Sequence, residues 1–431
     1  MTKVAMITLG CPKNQVDAER MLALLTEGGF EVAVPEEADV AVVNTCGFIE
    51  DAKKEAIEAI LEMADLKAQG RLRGIVVTGC LAQRYRADIR TELPEVNVVL
   101  GAGSHGDICE AVAAAAAGES LERYAPIEEA DMGGGRVLTT PFYTAYLKLG
   151  DGCDNRCTYC AIPLIRGRMR SRRMEELVAE AKELAGAGVK ELILVAQDST
   201  RYGEDLYGEN KLALLISKLE EIRGIAWIRL LYGYPDRISD ELLAHMAKSE
   251  KLLHYIDLPL QHASDVVLRR MNRRGSRADI EETLARIRAT VPDVCLRTTF
   301  IAGFPGETEE DFAQLEDFVK TQKFDRVGCF AYSAEEGTPA AGFAEQISEE
   351  LKTARVERLM RAQSDISEEK NKAFVGKTLT VLVEEAGCGR SRRDAPEIDG
   401  QVYFTGKAKP GDMVKAKILR ADAYDLYGAI E

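Results

Sequence analysis

The sequence lacks the features that mark membrane, secreted and nucleic-acid-binding proteins. No apolar run approaches the roughly 20 residues that span a bilayer, and the opening segment MTKVAMITLGCPKNQ turns polar too early for a secretory signal peptide. We therefore expect a cytoplasmic protein with no membrane partner. Lysine and arginine number 56 against 71 acidic residues, for a formal charge of −15. This balance favours a basic partner and argues against DNA, although a local patch can oppose the net charge.

Histidine is also scarce, with four residues, whereas cysteine is abundant, with ten. A reducing cytosol keeps thiols free, so the cysteines do not predict a disulfide framework, and metal ligation is the better interpretation. Cys153, Cys157 and Cys160 stand in the spacing C-x-x-x-C-x-x-C within GCDNRCTYC. A zinc site would need a fourth Cys or His close by, and the nearest histidines, His105 and His245, are distant. Three thiolates suit an iron–sulfur cluster with one iron left open for a small molecule.

The first 120 residues carry a second set of cysteines. A chain of 431 residues is too long for one ordinary core, so two or three domains are expected. The apolar runs KVAMITLG, ADVAVVNT and GIVVTG alternate with helical patterns, which predicts a Rossmann-like doubly wound α/β sheet for residues 1–120. Cys11, Cys46 and Cys80 each follow one run. Because the carboxyl ends of parallel strands converge, they predict a second three-cysteine cluster; the alternative is three buried, small hydrophobic residues.

The central part of the chain repeats a strand–helix unit six times. We predict a linker over 121–140, which contains GGGR, and a domain over 141–371 that begins with TAYLKLG and closes with a long helix from about Ser348. Six units make an incomplete barrel, a partial (β/α)6 form of the eight-unit TIM barrel. Its open side would admit a macromolecular substrate. Chemistry is expected at the carboxyl ends of the strands, and Cys153 follows the first strand.

Three other segments of this domain are candidates for the site. Gln197 and Asp198 follow the second strand, where they either face a cofactor or cap the loop. FIAGFPGETEED follows the fifth strand; Gly303 and Gly306 would let the backbone approach a ligand closely, and the next helix offers its amino terminus to an anion. His262, in LPLQHAS, either acts near the site or is a structural histidine.

Residues 372–431 contain short alternating strands separated by turn residues, such as KTLTVLVEEA and DMVKAKILRA. This pattern predicts a small five-stranded β-barrel of the OB type. Such barrels present loops to a partner and seldom carry catalysis. We expect Cys388, in AGCGRSRRDAPE, to lie in an exposed loop of this domain.

The whole chain resembles the radical S-adenosylmethionine (SAM) methylthiotransferases. The three-cysteine spacing is similar to the radical SAM signature, and FIAGFPGETEED resembles the glycine-containing SAM-binding stretch of those enzymes. The sequence most closely resembles the branch of this family that modifies a ribosomal protein. The segments that carry this resemblance are TLGCPKNQVDAERM, NTCGFIEDAKKEAI, FDRVGCFAYS, VAQDST, RDAPEIDGQVYF and AYDLYG. The polar segment with GGGR is a departure from the family and bears on the geometry of the linker.

The resemblance implies three domains: a UPF-type amino-terminal domain, a radical SAM domain and a carboxyl-terminal TRAM domain. It implies two 4Fe-4S clusters and SAM as cofactors. Cys153, Cys157 and Cys160 would ligate the cluster that cleaves SAM, and the auxiliary cluster would be ligated by Cys11, Cys46 and Cys80. The implied SAM-binding residues are Gln197, Asp198, Gly303 and Gly306.

The implied reaction attaches a methylthio group to the β-carbon of an aspartate in protein twelve of the small ribosomal subunit. One SAM methylates a sulfur species on the auxiliary cluster, and a second yields the 5′-deoxyadenosyl radical that removes hydrogen from the aspartate. The implied partners are the ribosomal protein, free or in the subunit, and a low-potential donor such as flavodoxin or ferredoxin. One alternative is a tRNA adenosine methylthiotransferase. Another is a non-catalytic iron–sulfur electron carrier, against which the open-iron spacing argues.

Overall fold

The computed structural model describes the whole chain, Met1–Glu431. Its first sheet has six parallel strands in the order β2-β1-β3-β4-β5-β6. The strands are β1 (Lys3–Thr8), β2 (Glu31–Val32), β3 (Val40–Thr45), β4 (Gly74–Gly79), β5 (Val98–Leu100) and β6 (Leu121–Arg123). The helices are α1 (Pro12–Glu27), α2 (Glu50–Ala68), α3 (Cys80–Arg84), α4 (Arg86–Glu92) and α5 (Ile108–Ala116).

Alternate residues of β1, β3 and β4 point to opposite faces, and each face has its own core. Helices α1 and α5 cover one face, where Val42 and Val76 are fully buried, and α2 covers the other with Val43 and Val77. Such continuous apolar runs are typical of parallel strands covered on both faces. The doubly wound sheet predicted for this part is confirmed. Strand β6 lies inside the segment 121–140 that the sequence predicts to be a linker.

The second sheet is the predicted six-stranded, open barrel. Its parallel strands run in the order β14-β13-β12-β11-β10-β7, and β14 does not pair with β7. They are β7 (Thr144–Lys148), β10 (Glu191–Val195), β11 (Trp227–Leu230), β12 (Leu252–Gln261), β13 (Cys295–Ala302) and β14 (Arg326–Ala331). A two-stranded antiparallel ribbon, β8 (Gly150–Asp151) and β9 (Arg170–Ser171), leads into and out of the cysteine loop.

Nine helices flank this sheet, and all but the two shortest contribute side chains to its largest core. They are α6 (Ile162–Arg166), α7 (Met174–Gly186), α8 (Glu204–Tyr207), α9 (Leu212–Glu220), α10 (Asp240–Met246), α11 (Asp265–Arg270), α12 (Arg277–Thr290), α13 (Glu309–Gln322) and α14 (Glu349–Lys372). The Ser348 hydroxyl accepts a hydrogen bond from the Leu351 amide, so the long closing helix begins where the sequence predicts. None of the helices is both long and apolar enough to cross a bilayer.

The carboxyl-terminal part is a closed barrel of five strands in the order β15-β16-β17-β19-β18, as predicted. The strands are β15 (Thr378–Glu385), β16 (Cys388–Ser391), β17 (Val402–Thr405), β18 (Met413–Ala421) and β19 (Leu426–Ile430). The prediction that Cys388 lies in an exposed loop is wrong. Cys388 begins β16 and is buried, and its thiol donates to Gln401 Oε1 at 3.0 Å. Strand β16 has only four residues, CGRS, and all are buried, so it has no alternating pattern that would reveal it in the sequence.

Buried ion pairs fix this small barrel to the second sheet. Glu191, at the start of β10, accepts hydrogen bonds from Arg229 at 2.8 Å and from Arg390 at 2.6 Å. The loop between β16 and β17 enters the second sheet, where Ala395 packs in the core that contains Tyr255. The Tyr255 hydroxyl donates to Asp399 of the same loop at 2.6 Å. The loop therefore fills the interior of the open barrel.

Candidate active site

Close-packed glycines bring together the three cysteines of the first sheet. Gly10 precedes Cys11 and has φ +86°; a Cβ atom at this position would lie 2.6 Å from the Cβ of Cys46. A Cβ atom on Gly47, the residue after Cys46, would lie 3.1 Å from the carbonyl carbon of Cys80. Only glycine permits these approaches, so the three loops lie against one another at the carboxyl ends of β1, β3 and β4.

The other three cysteines lie in the loop between β8 and α6. Gly152 (φ +78°) turns the chain into this loop; a Cβ atom there would overlap the backbone of Arg168, which lies just before β9. The Cys153 amide donates to the Gly167 carbonyl at 3.1 Å, and the Cys160 amide donates to the Cys157 carbonyl at 3.1 Å. The loop is therefore folded back on itself, which keeps its cysteines close together.

One cysteine of the first sheet packs against the segment that follows the second cysteine set. Cys80 packs against Ala161 and Ile165, and Ala161 directly follows Cys160. Arg166, at the end of α6, donates to the Cys80 sulfur at 3.3 Å. Residues that belong to one cysteine loop therefore contact the other.

A buried group of four charges, which we term the interface quartet (Asp17, Lys148, Asp151 and Arg166), joins the sheets at this point. Lys148 Nζ lies 2.7 Å from Asp17 and 2.8 Å from Asp151, and Arg166 contacts the same carboxylates at 2.7 and 3.1 Å. Burial would raise the pKa of Asp17, but Lys148 and Arg166 outweigh it and lower this pKa to about 2. The quartet is electrically neutral and fully paired.

Asp17→Asn should destabilise the protein by about 3 kcal/mol at neutral pH, because removal of one partner leaves uncompensated buried charge. The pKa of Asp17 is lowered on folding, so its contribution is present above the unfolded-state pKa of about 4 and is lost as pH falls through about 2. Urea unfolding from pH 7 to pH 2 measures the difference between variant and wild type. The exposed Glu58→Gln on α2 is the control. A difference that stays constant down to pH 2 would contradict the assignment.

Gln197 and Asp198 both contact the cysteine loop or the residue before it. Gln197 Nε2 donates to Asp151 at 2.7 Å, while its Oε1 is buried without a hydrogen-bond partner. Asp198 accepts hydrogen bonds from Asn155 of the loop at 2.8 Å and from Thr200 at 2.6 Å. The two residues are thus at the site, and their role in binding SAM stays a prediction.

Gly303 and Gly306 have φ values of +74° and +77° after β13, as a tight turn requires. The Gly303 amide donates to Glu307 at 2.9 Å, and the amino terminus of α13 is closed by reciprocal bonds between Thr308 and Asp311. These amide groups are therefore already occupied by acceptors of the protein, namely the Glu307 and Asp311 carboxylates and the Thr308 hydroxyl. Ligand binding at the two glycines stays a prediction.

His262 is fully buried beneath this glycine turn. Its Nδ1 accepts a hydrogen bond from the Ser264 amide at 2.9 Å, and its Nε2 lies 3.3 Å from Glu307. Glu307 also pairs with Arg355 at 2.8 Å. These contacts favour the structural alternative for His262.

The loop after β11 carries aromatic residues that sequence reasoning did not single out. The Tyr234 hydroxyl lies 3.1 Å from the Cys157 sulfur, and Arg273 stacks over the Tyr234 ring at 4.1 Å. The ring of Tyr232, two residues earlier, lies under the ammonium of Lys13 in α1. The sequence signal that could have identified these residues is the position of the segment LYGYP at the carboxyl end of a barrel strand. This one loop contacts residues beside both cysteine sets.

Three family models match the chain. The Radical SAM superfamily matches residues 147–319, the uncharacterized protein family UPF0004 matches residues 3–101, and the TRAM domain matches residues 375–430. Each match falls on one of the three sheets. The order of the matches is that of the resemblance noted from the sequence.

Relatives along the full length decide the family. A ribosomal protein uS12 methylthiotransferase RimO from Pelotomaculum thermopropionicum is 51% identical over 437 residues, 99% of this chain and 98% of the relative. Proteins of the same name from Geobacter sulfurreducens and Clostridioides difficile are 47% and 46% identical, over 99% and 100% of this chain and 98% and 99% of their own lengths. The chain belongs to the RimO family of radical SAM methylthiotransferases.

Solved structures place the RimO-family chain among radical SAM folds. The methyltransferase TsrM from Kitasatospora setae, solved with cobalamin and a [4Fe-4S] cluster, matches with a TM-score of 0.59 at 15% identity over 79% of this chain and 77% of its own. The cobalamin-dependent enzyme OxsB matches with a TM-score of 0.54 at 13% identity, over 84% of this chain and 56% of its own. These likenesses concern the fold alone.

The RimO family uses 4Fe-4S clusters and SAM as cofactors, and the two cysteine sets fit such clusters. No three Cys, His, Asp or Glu side chains converge as ligands of one metal ion. Thiolates that share one zinc, with Zn–S bonds of about 2.3 Å, would have to converge in that way, whereas each thiolate of a cubane cluster binds a different iron. Burial raises the pKa of Cys46 and Cys160 to about 12 and that of Cys153 to about 11, so these thiols would ionise at neutral pH only beside a positive charge such as that of a bound metal.

Proposed function

We propose that this chain attaches a methylthio group to the β-carbon of an aspartate in ribosomal protein uS12. The observation that supports this proposal is the contact between the two cysteine sets, in which Cys80 packs against the residue that follows Cys160. A transfer to one carbon needs a hydrogen-abstracting group and a sulfur donor at the same place. In the proposal, one cluster is ligated by Cys153, Cys157 and Cys160 and the auxiliary cluster by Cys11, Cys46 and Cys80.

When bound, the clusters and SAM supply the radical and the methylthio group. The chain supplies position and the exclusion of water. Cys46, Cys80, Cys153 and Cys157 are all at least nine-tenths buried. The interface quartet fixes the first sheet to the second, so the reacting groups of both are held in one geometry. Gln197, Asp198, Gly303 and Gly306 are proposed to hold SAM.

The names of the full-length relatives and the acidic net charge support a protein substrate over tRNA. In the terminal barrel, Arg390 pairs with Glu191 at 2.6 Å and Arg393 contacts Asp325 just before β14, whereas Lys415, Lys417 and Arg420 of β18 are exposed. The two paired arginines are not available to phosphates. RNA binding depends on phosphate contacts, and the whole chain carries a formal charge of −15.

Reaction of the reconstituted protein with SAM and reductant should add one methylthio group, in place of hydrogen, to the uS12 aspartate and none to tRNA. Mass spectrometry of digested uS12, both free and in the assembled subunit, measures the product, and a nuclease digest of tRNA is measured beside it. A uS12 substrate with asparagine at the modified position is the negative control. Modified adenosine with unmodified uS12 would favour the tRNA alternative and overturn the proposal.

The same proposal assigns the parts of the chain. Residues 1–120 form the auxiliary-cluster domain, 121–140 the linker, 141–371 the radical SAM domain and 372–431 the TRAM domain. The reaction also needs a low-potential electron donor, for which a flavodoxin or ferredoxin is proposed. Because the ribosome and such donors are cytoplasmic, the protein is proposed to act there. The linker is firmly attached in the structure, since Arg136 pairs with Glu19 at 2.5 Å and with Glu180 at 2.6 Å.

A further inference from the structure

Lys13 is a buried cation that forms an ion pair with no carboxylate, although the Cys11 thiolate, two residues away, lies near enough to act on it. It lies in the first turn of α1, two residues after Cys11, and is 7% exposed. Its Nζ lies 3.4 Å from the centre of the Tyr232 ring, and it forms no ion pair with any carboxylate of the chain. An unpaired buried charge is costly, and an aromatic face offsets only part of that cost. No carboxylate of the chain therefore occupies the Lys13 ammonium.

The other buried cations at this interface all have oxygen acceptors of their own. They are Lys148 and Arg166 with Asp17 and Asp151, Arg297 with Asp257, and Arg273 with the Pro259 carbonyl. Lys13 differs from all of them in this respect. A carboxylate that enters the interface could therefore pair with Lys13 without displacing a carboxylate of the chain.

Lys13 also lies between the two cysteine sets. It is close to Cys11 in sequence, and the ring beneath it belongs to the loop whose Tyr234 hydroxyl lies 3.1 Å from the Cys157 sulfur. Tyr232 has φ +61°, which is uncommon for a bulky residue. Its amide donates to Asp257 at 3.1 Å and its carbonyl accepts from Ser199 at 2.9 Å. These bonds hold the ring in the conformation that faces Lys13.

We propose that Lys13 binds the carboxylate of the substrate aspartate during methylthiolation. This inference rests on the proposed function. The carboxylate of aspartate is bonded directly to the β-carbon, so a cation that holds it must lie beside the reacting carbon. That carbon must lie between the two cysteine sets, where Lys13 stands. A neutral asparagine or an adenine base would leave the ammonium unpaired, so Lys13 would select an acidic side chain.

The test compares two uS12 substrates, with Asp or Asn at the modified position, by fluorescence anisotropy with SAM present and reductant absent. Wild type should bind the Asp substrate at least about tenfold more tightly than the Asn substrate. Lys13→Gln should bind both alike, and Lys13→Arg should retain most of the preference. Lys54→Gln, an exposed lysine of α2, is the matched control and should behave as wild type. A wild-type ratio in Lys13→Gln, or no preference in wild type, would overturn the inference.

The triple cysteine variant of the first sheet separates substrate binding by Lys13 from an effect of the nearby cluster. The variant with Cys11, Cys46 and Cys80 replaced by alanine keeps Lys13, so it should keep the preference for Asp. If that variant loses the preference as fully as Lys13→Gln does, the preference follows the cluster and the inference is wrong. The proposed function is judged separately: it fails if wild type forms no product on uS12, whereas product formation with an unchanged ratio in Lys13→Gln overturns only the role of Lys13.

Discussion

Cys157→Ala should release no 5′-deoxyadenosine from SAM above the level of an enzyme-free control. Cys157 is buried in the loop after β8, and Tyr234 and Arg273 flank its sulfur, so no other thiolate can take its place. Loss of this ligand removes the cluster that must reduce SAM. Chromatography of the products under strong reductant measures the effect. The wild type should reconstitute to about eight irons, and replacement of Cys153, Cys157 and Cys160 together should leave about four.

Cys329→Ala is the control for this variant. Cys329 lies on β14 of the same sheet, is half-buried and contacts neither cysteine loop. It should reconstitute to the wild-type iron content and cleave SAM at the wild-type rate. If the Cys157→Ala protein still forms deoxyadenosine, the assignment of Cys157 to the SAM-cleaving cluster is wrong. If the wild type reconstitutes to only about four irons, the assignment of a second cluster is wrong.

Replacement of Cys11, Cys46 and Cys80 by alanine should abolish methylthiolated uS12 while deoxyadenosine is still released, though more slowly. These cysteines lie on a different sheet from the SAM-cleaving loop, so their loss removes the anchor of the sulfur donor and leaves SAM cleavage in place. Mass spectrometry of uS12 and chromatography of deoxyadenosine on the same samples measure both products. Iron content should again fall to about four.

Cys109→Ala on α5 is the matched control, because Cys109 lies in the same sheet region but donates its thiol to the Leu24 carbonyl. The Cys109→Ala protein should still form both methylthiolated uS12 and deoxyadenosine. Three altered loops can disturb folding, so circular dichroism must first show that the triple variant is folded. A folded triple variant that makes no deoxyadenosine, or that still makes full product, would contradict the division of labour between the two cysteine sets.

Most of the fold could be predicted from the sequence because its strands and helices have strong periodic patterns. The six strands of the open barrel and the closing helix after Ser348 lie where the patterns indicate. The strands that the sequence does not predict are short: Glu31–Val32, Val98–Leu100, Leu121–Arg123, Gly150–Asp151, Arg170–Ser171 and Cys388–Ser391. Strands of two to four residues have too few positions for an alternating pattern and form only because a neighbouring strand offers hydrogen bonds.

The cysteines of the candidate site could be predicted because their positions follow from spacing and strand ends. The residues that join the two sets could not. Asp17 and Arg166 are 149 residues apart, and nothing in the sequence around either residue marks it as a partner of the other. Lys13 is two residues from a predicted ligand, but only the structure shows that it is buried against the Tyr232 ring and pairs with no carboxylate. Pairing of this kind is a property of tertiary structure, which local patterns do not encode.

The contacts of the terminal barrel hold it at a fixed distance from the reaction centre. Glu191 holds Arg390 and Arg229, and the loop with Asp399 is inserted into the second sheet, so the barrel cannot swing relative to the cysteine loops. A substrate that touches both the barrel and the reaction centre must span one set distance. The enzyme would then choose its target residue by its distance from a docking surface as well as by its chemistry, and a change in the length of the substrate loop would move a different residue to the reaction centre.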